Sequence, residues 1–279
     1  MEAELALVEA GGLARWKALT AAGVGASELG RAVRAGTVVR PGHGIYALRD
    51  CAPELAQALR VGASLGCVSA AGAHGLWVLR KHGLHLSSPR GAVVPARGRI
   101  HRVRARHGPV VPVEVCLRQV AACLPTREAL VVVESAVVKG LVQLDELESI
   151  FAGRGSKRSR EVLVRIDCGS ESIAETLARD ALRSAGHDVV CQRRVPGVGR
   201  VDLEVDGTLL VEVDGRAYHS DEQSFTEDRR RWNELSIAGR SVLVLPAKPI
   251  LRDPDSVLEP VGRYFAARQR RVGATFGLE

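Results

Sequence analysis

Aromatic side chains make up only 4% of the 279 residues, too few for the successive base-stacking platforms of single-strand-binding proteins. The six cysteines stand at 51, 67, 116, 123, 168 and 191, with no C-x-x-C pair among them. That excludes local zinc-ribbon or dithiol redox spacing and leaves reduced, mostly buried thiols as the expectation. No apolar run approaches the roughly 18 residues of a membrane span. The N-terminus, Met1-Glu2-Ala3-Glu4, carries acids where a secretory signal carries basic residues. A cytoplasmic chain without a membrane partner is therefore expected. His74, His82, His85, His101 and His107 do not fall at metal-ligand spacing, and they read as packing or phosphate-facing residues.

Hydrophobic residues reach 46% and charged residues 25%, enough to bury a core. The length suggests two domains or three small ones. The net charge of +7 is uneven: residues 51–125 carry +8, whereas residues 171–279 carry −2 and are dense in carboxylates. A basic surface beside an acidic site suits an enzyme of the phosphate backbone, one part drawing in polyanion and the other holding cations. Arginine outnumbers lysine 34 to 5; its fork matches phosphate, although a GC-rich genome gives the same bias.

Three segments follow from the pattern: a winged helix-turn-helix over 1–50, a basic α/β segment over 51–165 and an α/β unit over 166–279. In the first, Leu13, Trp16 and Leu19 mark a helix ended by Gly23. Ser27 is the expected cap of a second helix, stopped by Gly36. Val38–Arg40 and Ile45–Leu48 then form a hairpin. The second helix should present Glu28, Arg31 and Arg34 outward, with Arg40 and His43 on the wing, as in modules that enter a DNA groove; a protein-contact winged helix is the alternative. In the middle segment a short helix spans Ser69–Leu76, and strands cover Gly83–Ser88 and Ile100–Arg104. Arg97, Arg99, Arg102, Arg104 and Arg106 cluster around the second strand, and alternation puts 102, 104 and 106 on one face. Helices follow at Thr126–Lys139 and Leu144–Phe151, and residues 153–160 have linker composition.

The last segment carries the chemistry. A helix opens at Ser170 and puts Glu171 and Glu175 on one face. A strand near Asp188–Gln192 precedes the hairpin Arg200–Gly215, whose register can be decided. With a two-residue loop, residue 205 faces 208 and Asp202 faces Val211, which mixes acids and valines on one face. With a three-residue loop, Asp206-Gly207-Thr208, residue 205 faces 209 and Asp202 faces Glu212. Val201, Leu203, Val205, Leu209, Val211 and Val213 then share the core face. Asp202, Glu204, Glu212 and Asp214 share the other, interrupted by Leu210. The hydrophobic pattern selects the second register. Carboxylates so close repel unless a cation lies between them, and oxygen-only ligands suit Mg²⁺ or Mn²⁺. An acidic solvent-facing sheet needs no metal and is the alternative. A helix through Phe225, Asp228, Arg229, Trp232 and Leu235 ends at Gly239, and Ser241–Leu245 reads as a buried strand before Pro246.

These motifs, in order, resemble a known family. Glu-x-x-x-Glu, Val-Asp-Leu, Val-Glu-Val-Asp-Gly-x-x-x-His, Phe-x-x-Asp-Arg-x-Arg and Gly-x-x-Val-Leu-Val span about residues 170–246. The run is similar to a domain-of-unknown-function family related to very-short-patch-repair endonucleases, within the PD-(D/E)XK nuclease superfamily. Residues 1–50 more weakly resemble the winged-helix N-terminus of AbiEi-type antitoxins. The resemblance implies a restriction-endonuclease-like mixed sheet flanked by helices. It matches Asp202 to the hairpin aspartate, Glu212 to the second acid, and Glu175, less closely Glu171, to the helix acid. Asp214 stands where the superfamily expects lysine. In very-short-patch-repair enzymes that position is also not lysine, and a histidine matching His219 participates. Arg229, Gln192 or His219 would then supply the missing positive or proton-donating group, and Asp228 with Arg229 reads as a helix pair.

The resulting expectation is a Mg²⁺- or Mn²⁺-dependent DNA endonuclease. Asp202, Glu212 and Glu175 hold the metal, Asp214 lies beside them and His219 is the general acid or base. Arg31, Arg34, Arg40, Arg99, Arg102, Arg104 and Arg106 face DNA. Repair or defence against mobile elements is the implied setting, with a toxin or defence-system protein or a second copy as further partners. The rival expectation is a DNA-binding regulator or antitoxin on a nuclease fold that no longer cuts.

Overall fold

The computed structural model describes residues 2–91, 98–105, 107–152, 157–215 and 222–276, with only the backbone course given for 222–228 and 271–276. The chain forms a mixed α/β protein of two compact units. One comprises Met1–Pro125 and Lys139–Arg160, the other Thr126–Val138 and Glu161–Glu279. This division runs through the segment 51–165 of the sequence reading.

The first unit opens with helix α1 (Glu2–Glu9), strand β1 (Leu13–Arg15), helices α2 (Trp16–Ala21) and α3 (Ala26–Ala35), and the hairpin β2 (Val38–Gly42) and β3 (Ile45–Leu48). The three strands order as β1-β3-β2. Helix, strand, two helices and a hairpin is consistent with a winged helix. Helix α1 was not anticipated, yet its signal is present: Ala3 and Leu7, four apart, are both fully buried and join Leu19, Leu29 and Val38 in one cluster. Each such leucine contributes about 1.5–3 kcal/mol relative to exposure. Gly25, not Ser27, is the N-cap of α3, and no side chain caps it. Gly36 closes the helix in the left-handed conformation, φ 75°, which glycine adopts without strain.

Next come α4 (Pro53–Arg60), β4 (Ser64–Leu65), α5 (Cys67–Ala73), β5 (His85–Pro89), β6 (Arg99–Val103) and α6 (Val113–Cys123). Strand β5 pairs antiparallel with β4 and parallel with β6. That register sets Ser87 opposite His101, so His85 and His101, both at odd positions, share a face. The sequence reading did not foresee one juxtaposition: His85 and His101, with Cys67 and Cys123, bring one potential ligand atom each to within 4.8 Å of one another. Sheet pairing unites residues whose spacing along the chain gives no motif. Arg102 and Arg104 are exposed as expected, whereas Arg99 donates to Cys123 Sγ at 3.2 Å. Arg97 and Arg106 lie outside the described residues.

The chain then leaves for α7 (Thr126–Val138), which belongs to the second unit, and returns through α8 (Glu146–Phe151) and the start of α9 (Lys157–Leu163). The second unit continues with α10 (Ile173–Ser184), β7 (Val189–Val195), β8 (Gly199–Val205), β9 (Leu209–Asp214), α11 (Glu222–Ile237), β10 (Ser241–Pro246) and α12 (Ala247–Arg252). A 3-10 turn at Pro254–Val257 and α13 (Leu258–Phe276) complete it. The sheet runs β10-β9-β8-β7. Its first three strands in sequence are antiparallel, and β10 joins β9 in parallel. Strand β10 is therefore an edge and only partly buried, not the buried strand expected from its apolar run.

The hairpin takes the three-residue-loop register: Leu203 faces Val211, Glu204 faces Leu210 and Val205 faces Leu209. Asp206 and Gly207 in the loop both have positive φ, 49° and 65°. Asp206 tolerates this because its carboxylate accepts from the Asp188 N–H at 2.8 Å and meets His187 Nδ1 at 2.7 Å.

Helix α7 is held to α10 by charge as well as packing. Glu134 and Arg179 are both fully buried and meet at 2.6 Å. Arg179 also donates to Ser170 Oγ and to the Asp167 carbonyl, at 2.9 and 2.8 Å. Asp180, 3% exposed, takes Arg127 and Arg165 at 2.9 and 3.0 Å.

Candidate functional site

The acids of the hairpin face are not on open sheet. Helix α11 covers that side: its fully buried Leu235 clusters with Leu210, the apolar interruption among the acids, and also with Val201, which the sequence reading assigns to the opposite face. Beside it lies a cleft of 430 Å³ lined by Glu175, Gln192, Arg200, Asp202, Glu212, Asp214, Arg231 and Trp232, among others. Four expected residues, Asp202, Glu212, Asp214 and Glu175, thus share one cavity.

Each is positioned by the local chain. Ser172 is the N-cap of α10 and its hydroxyl accepts from the Glu175 N–H at 3.2 Å, as in a capping box. The Glu175 carboxylate in turn accepts from the Glu171 N–H at 2.8 Å. Glu171 therefore precedes the helix and does not share a face with Glu175; its side chain pairs with Arg200 at 2.7 Å. Asp202 Oδ2 accepts from the Val213 N–H of the neighbouring strand at 2.8 Å. Glu204 leaves the group: it is buried against Arg193 at 3.1 Å.

Gln192 gives the cleft its most constrained residue. It lies in β7 with φ 51°, a left-handed conformation costing a non-glycine residue on the order of 1–2 kcal/mol. The reward is a side-chain amide that donates to Glu175 Oε2 at 3.0 Å. Burial pushes the carboxyls of both Glu175 and Asp202 above their ordinary range. The backbone and amide donors oppose the rise, while Asp202 raises Glu175 and Glu171 raises Asp202.

Arg231 was missed by the sequence reading. It donates to Glu212 Oε1 at 2.8 Å and to the Arg200 carbonyl at 2.6 Å. The signal was available: Arg231 stands four residues before buried Leu235, hence on the covered face of α11. Arg229 is instead exposed and stacks over Trp232, 5.1 Å from the ring centre. His219 and the side chain of Asp228 fall outside the described residues. Among the described residues, no three acids bring ligand atoms within 4.8 Å of one another. Mg²⁺ needs only one or two carboxylates, completed by water and substrate phosphate. The oxygen-only donor set of Asp202 and Glu212 fits such an ion, with Arg231 as the resident competitor at Glu212.

In the N-terminal module Arg31 and Arg34 are exposed on α3. Arg40 on β2 is exposed too, its guanidinium 5.2 Å from the Tyr46 ring centre. Arg34, Arg40, His43, Trp16 and Tyr46 border a cavity of 520 Å³ between α3 and the wing. Glu28 is not presented outward: its carboxylate accepts from the Ala3 N–H at 3.0 Å, where an acid satisfies the free N-terminal donors of α1.

Fold and sites together define a two-unit α/β protein with a winged-helix-like module at one end of the chain and an acid-lined cleft in the other unit. Residues 2–49 match the family model of AbiEi antitoxin transcriptional regulators. The match covers the N-terminal module alone. No curated protein matches the chain. No helix among the described residues is long and apolar enough to cross a membrane.

Proposed function

We propose that this protein binds DNA through its N-terminal module and hydrolyses phosphodiester bonds in the cleft of the second unit. The observation that carries the reading is the meeting of Asp202, Glu212 and Glu175 with Gln192 in one 430 Å³ cleft. Its frame, helix, three antiparallel strands, helix and a parallel strand, is the order that the resemblance to PD-(D/E)XK nucleases implies. Asp202 and Glu212 would hold Mg²⁺ or Mn²⁺, with Glu175 alongside. When bound, the cation supplies Lewis-acid stabilisation of charge on the scissile phosphate. The chain's own residues do the rest. The Val213 N–H fixes one oxygen of Asp202, and the Gln192 side chain adds a hydrogen bond to this carboxylate. Gln192 orients Glu175, and Arg231 carries the positive charge that lysine would carry at position 214. His219 remains the candidate for proton transfer on the resemblance.

The second reading is a regulator that binds DNA without cutting it. It is favoured by the Arg231–Glu212 ion pair, which neutralises the acid without a metal, and by the N-terminal match to transcriptional regulators. Supercoiled plasmid with Mn²⁺ separates the two. The first reading expects nicking by the wild type and none by Asp202→Ala or Glu212→Ala. Wild-type protein that binds the plasmid but never nicks it establishes the second.

A further inference from the structure

Away from the cleft, the first unit gathers four side chains whose chemistry nothing above uses. Cys67 opens α5, His85 opens β5, His101 sits mid-β6 and Cys123 ends α6. One ligand atom from each lies within 4.8 Å of the other three. His85 Nδ1 is 3.4 Å from His101 Nε2 and 3.9 Å from Cys123 Sγ. A tetrahedral zinc with bonds of about 2.0–2.1 Å to nitrogen and 2.3 Å to sulfur places its ligands about 3.3–3.8 Å apart. The cluster is close to that size already.

We infer that Cys67, His85, His101 and Cys123 form a structural zinc site, with His85 ligating through Nδ1 and His101 through Nε2. Two sulfurs and two nitrogens are the closed donor set of structural zinc and leave no position for substrate. Binding is written Zn²⁺ plus two thiols and two neutral imidazoles giving the neutral tetrahedral site and two released protons.

The surroundings support this assignment. His85 is buried, and its ring lies between His101 and Cys123. Cys67 is fully buried with φ 48°, a strained backbone for a non-glycine residue, and strain persists where surrounding structure over-determines it. The determinants are visible. Gln119 accepts from the Cys67 N–H at 2.8 Å and donates to Ser87 at 3.0 Å. A Cβ on Gly66 would come within 2.7 Å of the Gln119 oxygen and 2.9 Å of Ser87 Cβ. Arg99 donates to Cys123 Sγ at 3.2 Å, an N–H···S bond that orients and stabilises a thiolate ligand.

The test uses the full chain, purified under reducing conditions from zinc-supplemented culture. One zinc per chain is expected by elemental analysis, and removal should lower the melting temperature. Cobalt added to the metal-free protein should give tetrahedral d–d bands and thiolate charge-transfer absorption. Cys123→Ser and His101→Ala should each weaken cobalt binding by about tenfold or more. Cys168→Ser and Asp202→Asn, both in the other unit, should leave spectrum and stoichiometry unchanged. Wild-type protein that neither holds zinc nor gives the cobalt spectrum overturns the site, whatever the variants do. A Cys67–Cys123 disulfide in freshly lysed, alkylated protein overturns it equally. Loss of zinc in Asp202→Asn would move the ion to the acid cleft and also refute it.

Discussion

At the scale of single residues, Asp202 and Glu175 face each other in a half-buried cleft and both carboxyls are raised by burial. The unfolded chain ionises them near the ordinary values of about 3.9 and 4.3. Between those values and the raised folded ones, the native state holds more protons than the unfolded state. Stability therefore falls as pH rises through that window, and the penalty persists above it. Asp202→Asn removes one of the two charges and keeps an acceptor for the Val213 N–H. In chelator, its melting temperature should exceed the wild type's at pH 7, and the gap should close below about pH 4. Thermal melts across pH check this; a variant melting below the wild type at pH 7 contradicts the repulsion argument. Arg231 adds a second test. Arg231→Gln frees Glu212 from its ion pair, so Mn²⁺ should raise the melting temperature more in the variant than in the wild type. An equal or smaller shift would mean that the arginine does not compete with the cation.

At the scale of elements, helix α7 joins α10 through the fully buried Glu134–Arg179 pair. Arg179→Met leaves Glu134 buried without its cation, so chemical denaturation should show a loss of about 3–5 kcal/mol. Glu134→Leu combined with Arg179→Met removes both charges and should recover much of that loss. Helix α11 is pinned by Leu235, and Leu235→Ala should cost about 2–5 kcal/mol. Elements governed by local alternation were legible in the sequence. The β8–β9 register followed from placing valines on one face and acids on the other, because a one-residue slip would expose every valine. Helix α3 followed from the spacing of Leu29 and Ala32 and its glycine stop. The Cys67–His85–His101–Cys123 cluster was not legible, since at least 15 residues separate each ligand from the next; parallel β5–β6 pairing unites the two histidines, and the packing of α5 and α6 adds the cysteines. The helix-face argument for Glu171 failed because α10 is capped by Ser172, two residues after the expected start at Ser170. Strand β10 read as buried because an apolar run does not reveal whether a strand lies at the centre or the edge of its sheet.

At the scale of the whole molecule, charge is divided: +8 over residues 51–125 against −2 over 171–279. DNA affinity should therefore depend on the first unit. Each phosphate contact contributes about 0.9 to the slope of log affinity against log salt. Replacing Arg102, Arg104 and Arg106 together should flatten that slope and weaken binding to all sequences alike. Replacing Arg31 and Arg34 on α3 should reduce discrimination between sequences. Titrations at several salt concentrations distinguish the two, and an unchanged slope in the triple variant would remove the middle segment from the interface.

The placement of α7 has an effect on synthesis. Because residues 126–138 belong to the second unit while 139–160 return to the first, the units are interleaved along the chain. No single truncation separates them. The ribosome releases α7, with Leu130, Val131 and Val133 destined for burial, before its partner α10 exists. The nascent helix must wait for roughly forty further residues, which makes this stretch a natural client for a chaperone. A fragment beginning at 166 would carry Arg179 without Glu134. Conversely, joining 126–138 directly to 161–279, with 1–125 and 139–160 deleted, should let the acid-cleft unit be produced alone.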